Sequence, residues 1–213
     1  MDAALTFAHQ RAADLKRLCD AADRETLVGK TEATRAVARR GGTIDVLMGE
    51  VETVKNPVDN SNMYLRKNVS RTEPMLDRLW FDGLQSEEVP AEYYVPASAS
   101  KALALLRAHG IQLRQVTAPI RGVEQFAITT NTARPPSNNP DFGGHAVHTI
   151  DGKWEAAGDA AVPSGAWAVS MTQPLARLAF YLIAPTSDDG LVYWNTLDDE
   201  LKDAKVYPIV RKK

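Results

Sequence analysis

An α+β fold with a mostly antiparallel sheet, an N-terminal helix and a few inserted helices is predicted by three features of this 213-residue sequence. Short runs with period-two alternation dominate the middle of the chain, and a few stretches with period 3.6 interrupt them. The strands come in runs with a few inserted helices, which points to an α+β fold with a largely antiparallel sheet. Gly-, Asn- and Pro-rich breaks separate these runs at spacings suited to hairpins.

The first helix is marked by Leu5, Ala8, Ala12, Leu15, Cys19 and Ala22 at three- and four-residue spacing. Its alanine-rich stripe predicts close packing against a neighbour, with the single cysteine, Cys19, as a small buried hydrophobe. From Ala33, "TRAVARRGGTIDVLMGEVETV" reads as a strand, a Gly41-Gly42 turn and a second strand. Residues 56–68 are polar and loop-like. "RTEPMLDRLWFDGLQSEEVP" is mixed in character, and "AEYYVP" is a short strand.

"SASKALALLRAHGI" predicts a helix capped by Ser98 or Ser100 and ended by Gly110. "IQLRQV" and "GVEQFAIT" are strands, and "NTARPPSNNPDFGG" is the strongest loop. Three further strands are expected in "HAVHTID", "KWEAAGDAAVP" and "AWAVSM", broken at Asp151-Gly152 and Ser164-Gly165. "QPLARLAFYLIAP" is a helix with Pro174 in its first turn and Leu175, Leu178, Ala179 and Leu182 as its buried stripe. Residues 1–70 are expected to form a helix-plus-hairpin connecting region and residues 71–213 the main α+β domain, the alternative being one continuous domain.

Composition narrows the function. A formal charge of -2 and a pI near 6.1 give no electrostatic pull toward nucleic acid. One cysteine rules out an intrachain disulfide and a Cys-based zinc cluster. No apolar run reaches the roughly 18 residues of a membrane span, and the N-terminus shows no signal-peptide pattern, so a soluble chain is expected. Neither glycine-rich phosphate fingerprint occurs, and no cofactor is expected.

The candidate chemistry is sparse. His145 and His148 of "HAVH" would point to opposite faces of a strand, which argues against a shared metal, so no metal site is assigned. Neither zinc-hydrolase pattern is present. Ser98 and Lys101 form a Ser-x-x-Lys at a helix start, where capping accounts for the serine. "APTSDDGLVYWNTLDDE" offers Asp188, Asp189 and Asp198 as acid and base, with Tyr193 and Trp194 as a stacking platform, and with His145 and His148 as further binding candidates. The competing reading makes Asp188-Asp189-Gly190 a turn and cap, with Trp194 buried beside Leu191, Leu197 and Leu201.

"RTEPMLDR", "AEYYVPASASKALALLRAHGIQL" and "PSGAWAVSMTQPLARLAFYLIAPTSDDGLVYWNTLDDEL…VYPIVR" resemble the region that follows the catalytic domain in large bacterial zinc carboxypeptidase-like proteins, relatives of carboxypeptidase A. The resemblance covers the chain from about Arg71 onward. It implies a non-catalytic accessory module that packs on a zinc peptidase domain or contributes to substrate access, in an envelope or secreted setting. An isolated module would expose the apolar surface that meets such a partner, and a homodimer would cover it. It carries no catalytic residue over, because that family's zinc ligands and glutamate lie upstream of this region. The alternative is a small stand-alone hydrolase of glycosidic or ester bonds that uses the carboxylates above. Binding of a peptide or glycan without chemistry is the third possibility.

Overall fold

The computed structural model describes residues 2–39, 41–133 and 146–213. Strand accounts for 40% of the chain and helix for 21%, so the fold is α+β with antiparallel sheets. The chain divides into two units: Met1–Arg35 with Leu84–Lys213, and Ala36–Gly83.

The first unit is built on a six-stranded sheet. Its strands are β5 (Glu92–Val95), β6 (Arg114–Gln115), β7 (Glu124–Ala133), β8 (His148–Ala156), β9 (Trp167–Ser170) and β10 (Val210–Lys212). Their order is β6-β9-β5-β10-β7-β8, and each neighbouring pair is antiparallel. The last strand, β10, therefore completes the sheet between β5 and β7. Since β5 and β6 both run against β9, they are parallel to one another and need a crossover, which α3 (Ser100–Ala108) supplies.

Strand alternation sends successive side chains to opposite faces. Tyr93 and Val169 enter the main core, whereas Tyr94 and Ala168 enter a smaller cluster with Val116, Val123 and Val162. The main core is closed by Leu103 and Leu106 of α3, Phe180 and Ile183 of α4 (Ala176–Ile183), and Leu191, Leu197 and Leu201 around α5 (Asp198–Leu201).

Helix α3 ends as expected at Gly110, whose φ is +78°. The Gly110 N–H donates to the Arg107 carbonyl and the Ile111 N–H to that of Leu106, a Schellman closure sealed by burial of Ile111 and Leu106. Its start differs from expectation, because the N-cap is Ala99 and neither serine caps it through its side chain.

In α4 the buried residues are Ala176, Ala179, Phe180, Leu182 and Ile183, and Leu175 is exposed. The helix begins two residues after Pro174, which rotates the buried stripe from the one expected. Asp151-Gly152 is not a turn. It lies within β8, where the register against β7 shifts between Ile128 and Thr130. Gly165, at φ +91°, does make its turn.

The N-terminal helix is α1 (Asp2–Gln10) followed by α2 (Ala12–Asp23), parted at Arg11. No residue of either is buried, and Cys19 is exposed, contrary to the packed stripe expected. Among the described residues no helix is long and apolar enough to cross a membrane.

The second unit centres on β2 (Thr43–Lys55) and β3 (Asn62–Leu76), an antiparallel pair that forms its own two-stranded sheet. Most of the polar stretch expected as a loop is thus strand, and only 56–61 turns. The strands flanking Gly41-Gly42, β1 (Thr31–Ala38) and β2, are not hairpin partners. β1 pairs with β4 (Phe81–Glu88) instead, since the longer register of β2 with β3 satisfies β2.

A buried polar network lies within the first unit. Arg211, 5% exposed, donates to Glu124 at 2.7 Å and to the Glu88 carbonyl, lies 3.7 Å from Glu87, and stacks over Trp154 with its guanidinium 4.3 Å from the ring centre. The Trp154 indole donates to Glu87 at 2.6 Å, and the Thr186 hydroxyl donates to the same carboxylate at 2.8 Å. Arg35 donates to the Thr186 and Ile150 carbonyls and to Asp151.

Burial holds the phenols of Tyr93, Tyr94, Tyr181 and Tyr207 above their ordinary range. In the unfolded chain these groups ionise first, so the stability they confer is present below about pH 10 and is lost as pH rises beyond it. Alkaline titration should show their phenolate absorbance emerging together with unfolding. Its appearance near pH 10 with near-UV circular dichroism intact would contradict this.

Candidate functional site

The segment after α4 carries most of the candidate residues, and its path is set by small and turn-forming side chains. Pro185 follows the helix end at Ala184 and prevents its continuation. Thr186 and Ser187 are buried, and the Asp188 N–H donates to the Thr34 carbonyl of β1. Gly190 then passes so close to α4 that a Cβ there would sit 2.7 Å from the Leu182 carbonyl oxygen. Its successor, Leu191, donates to that same carbonyl at 2.8 Å.

The three aspartates have separate surroundings. Asp188 is half-buried and accepts a hydrogen bond from the Tyr181 hydroxyl on α4. Burial first, and then this hydrogen bond to Asp188, raise the phenol's pKa, so Tyr181 stays a neutral donor. Asp189 is exposed and accepts from the Trp194 indole N–H. Asp198, at the start of α5, lies 2.7 Å from His148 Nδ1.

His148 opens β8 and is 6% exposed. Its Nε2 is 2.6 Å from Asn131 Oδ1, and the Asn131 amide donates to the Leu201 carbonyl at 3.0 Å. The histidine thus links β7, β8 and α5, with both ring nitrogens engaged by protein oxygens. An Asp–His pair could orient a catalytic base, but here Asn131 occupies the position a nucleophile would need. His145 lies outside the described residues, as does most of the Asn/Pro-rich loop. No group of three or more metal-ligating side chains occurs among the described residues.

Trp194 is 42% exposed and does not join Leu191, Leu197 and Leu201 in the core. The backbone from 191 to 197 is a series of turns, with Asn195 at φ +60°, so helical spacing does not hold until α5. Tyr193 meets Trp194 edge-on, with ring centres 5.8 Å apart. Trp194 and Asp189 line a pocket of about 320 Å³, with Tyr181, His109 and Thr196 as its other polar groups and Leu105, Leu178, Leu182 and Leu191 as its apolar walls. The structure therefore brings two of the predicted residues, Asp189 and Trp194, to one concave surface.

Sequence reasoning missed Tyr181, His109 and Asn131. Tyr181 sits at the half-buried margin of α4 once that helix is correctly phased, so its helical spacing was the available signal. The Ser98/Lys101 pattern has a structural outcome, since Lys101 forms an ion pair with Asp199 at 2.7 Å. That contact lowers the pKa of Asp199 through a hydrogen bond and the lysine's charge.

Asp198→Asn should weaken the tie between α5 and β8 and cost about 1 kcal/mol in urea unfolding, toward the low end because the carboxylate is half exposed. An unchanged midpoint would show that the His148 contact is idle. No protein-family model, curated protein or solved structure matches this chain.

Proposed function

We propose that this chain is a non-catalytic interaction module, of the kind that accompanies the catalytic zinc domain in bacterial carboxypeptidase-like proteins. The observation that carries the reading is the engagement of each candidate acid: Asp188 with Tyr181, Asp189 with Trp194, and Asp198 with His148. A glycosidase needs two carboxyl groups facing one scissile bond roughly 5–10 Å apart. These carboxylates instead hold a phenol, an indole and a histidine.

The pocket beside Trp194 suits recognition. Its leucine walls favour an apolar or amphipathic peptide side chain over a hydroxylated sugar, and Asp189 on its rim accepts a hydrogen bond or a positive charge from the ligand. Packing on a peptidase domain would place this pocket where it contributes to substrate access.

Titration with short peptides bearing leucine, phenylalanine or lysine side chains should change Trp194 emission saturably. Calorimetry should show at least a tenfold weaker interaction for Trp194→Ala, with no product formed. Methyl glycosides should give no saturation. Peptides that leave both signals flat, or any turnover of the ligand, would overturn the proposal.

A further inference from the structure

The β2–β3 hairpin is unlike the rest of the chain. Its strands span 13 and 15 residues, yet no residue between Thr43 and Leu76 is buried. Leu47, Tyr64 and Leu76 are 70%, 69% and 63% exposed. An isolated two-stranded ribbon is marginal in water, and exposed apolar rows of this kind mark contact surfaces. Each strand also has one edge without a neighbour in its two-stranded sheet.

Charge identifies the occupant. β2 carries Asp45, Glu50 and Glu52 against a single lysine, Lys55, whereas β3 carries Arg66, Lys67 and Arg71 against a single glutamate, Glu73. A strand added beside β2 is therefore favoured if basic, and one added beside β3 if acidic. A second copy of this chain offers both.

We propose that the hairpin is a self-assembly arm, in which the outer edge of β2 in one copy pairs with the outer edge of β3 in another. This extends the interaction reading above by naming a second copy as a partner. The contact is heterologous and builds rings or open chains according to whether its rotation closes. The new pairing runs along the arm and stops short of Pro74, which has no N–H to donate to an added strand.

Paired charge variants of the full chain test this by light scattering and native mass spectrometry. Wild type should exceed monomer mass, with the mass rising with concentration and falling with salt. Glu52→Lys/Thr53→Lys makes both strands basic, and Arg66→Glu/Lys67→Glu makes both acidic, so each variant alone should be monomeric. An equimolar mixture should assemble, because every β2 then meets an oppositely charged β3. Unchanged thermal midpoints would show that the variants remain folded.

A wild-type monomer at all concentrations, assembly of either variant alone, or a mixture that stays monomeric would overturn the proposal. Those outcomes leave peptide binding at the Trp194 pocket to be judged by its own titration.

Discussion

Gly152→Ala should abolish cooperative unfolding of the first unit or lower its stability by more than about 4 kcal/mol, among the largest effects a single methyl group can have. A Cβ at this position would lie 2.0 Å from the Ala127 carbonyl oxygen and 2.8 Å from the Phe126 ring. Neither neighbour is free to yield. Ala127 belongs to β7, paired with β8 on either side of the register shift, and Phe126 packs edge-on against Trp154 at 5.4 Å in the main core. Relief would require separating β7 from β8 or displacing the aromatic pair, and with it the Trp154 indole from Glu87. Circular dichroism during heating reads the outcome. A sharp transition at the wild-type midpoint would mean that the β7–β8 contact is looser than its geometry indicates.

Arg211→Met should cost about 3–5 kcal/mol, because it leaves the buried Glu87 carboxylate without its cation. Glu87 has a side chain 8% exposed and receives the Trp154 indole, the Thr186 hydroxyl and the nearby guanidinium. Methionine retains most of the apolar stem but neither the charge nor the hydrogen bonds to Glu124 and the Glu88 carbonyl. The origin of the loss can be separated from packing by a second change. Adding Glu87→Gln to Arg211→Met should recover part of the stability in urea unfolding, since an amide is far less costly to bury unpaired than a carboxylate. If the double variant is less stable than the single one, the network contributes through packing and the ion-pair account fails.

Local periodicity revealed the elements more reliably than their partners. The strand at Tyr93-Tyr94, the α3 helix with its Gly110 stop, and the Ser164-Gly165 turn were all legible, because each is decided within a few residues. Strand pairing was not. Gly41-Gly42 resembles a hairpin turn, but β1 and β2 find other partners farther along the chain. Asp151-Gly152 also resembles a turn, and the glycine is required there by the backbone of a neighbouring strand, a constraint invisible in a local window.

The candidate site divided in the same way. The dense acidic-aromatic stretch reaches a concave surface, where Asp189 and Trp194 line one pocket. Assigning Trp194 to the core required a continuous helix from Leu191, which the turns through Asn195 interrupt. Contacts such as His148 with Asp198, fifty positions apart, depend on how β8 meets α5 and have no signature in spacing.

The central claim is that the aspartates between 188 and 198 hold structure and perform no acid–base step. Its most direct test is the hydrolysis rate of wild type and of Asp188→Asn, Asp189→Asn and Asp198→Asn on a panel of glycoside and ester substrates, with thermal midpoints measured on the same samples. The expected result is no turnover above buffer for any of the four proteins, with midpoints lowered for Asp188→Asn and Asp198→Asn. A wild-type rate that one of these substitutions abolishes at an unchanged midpoint would contradict the account.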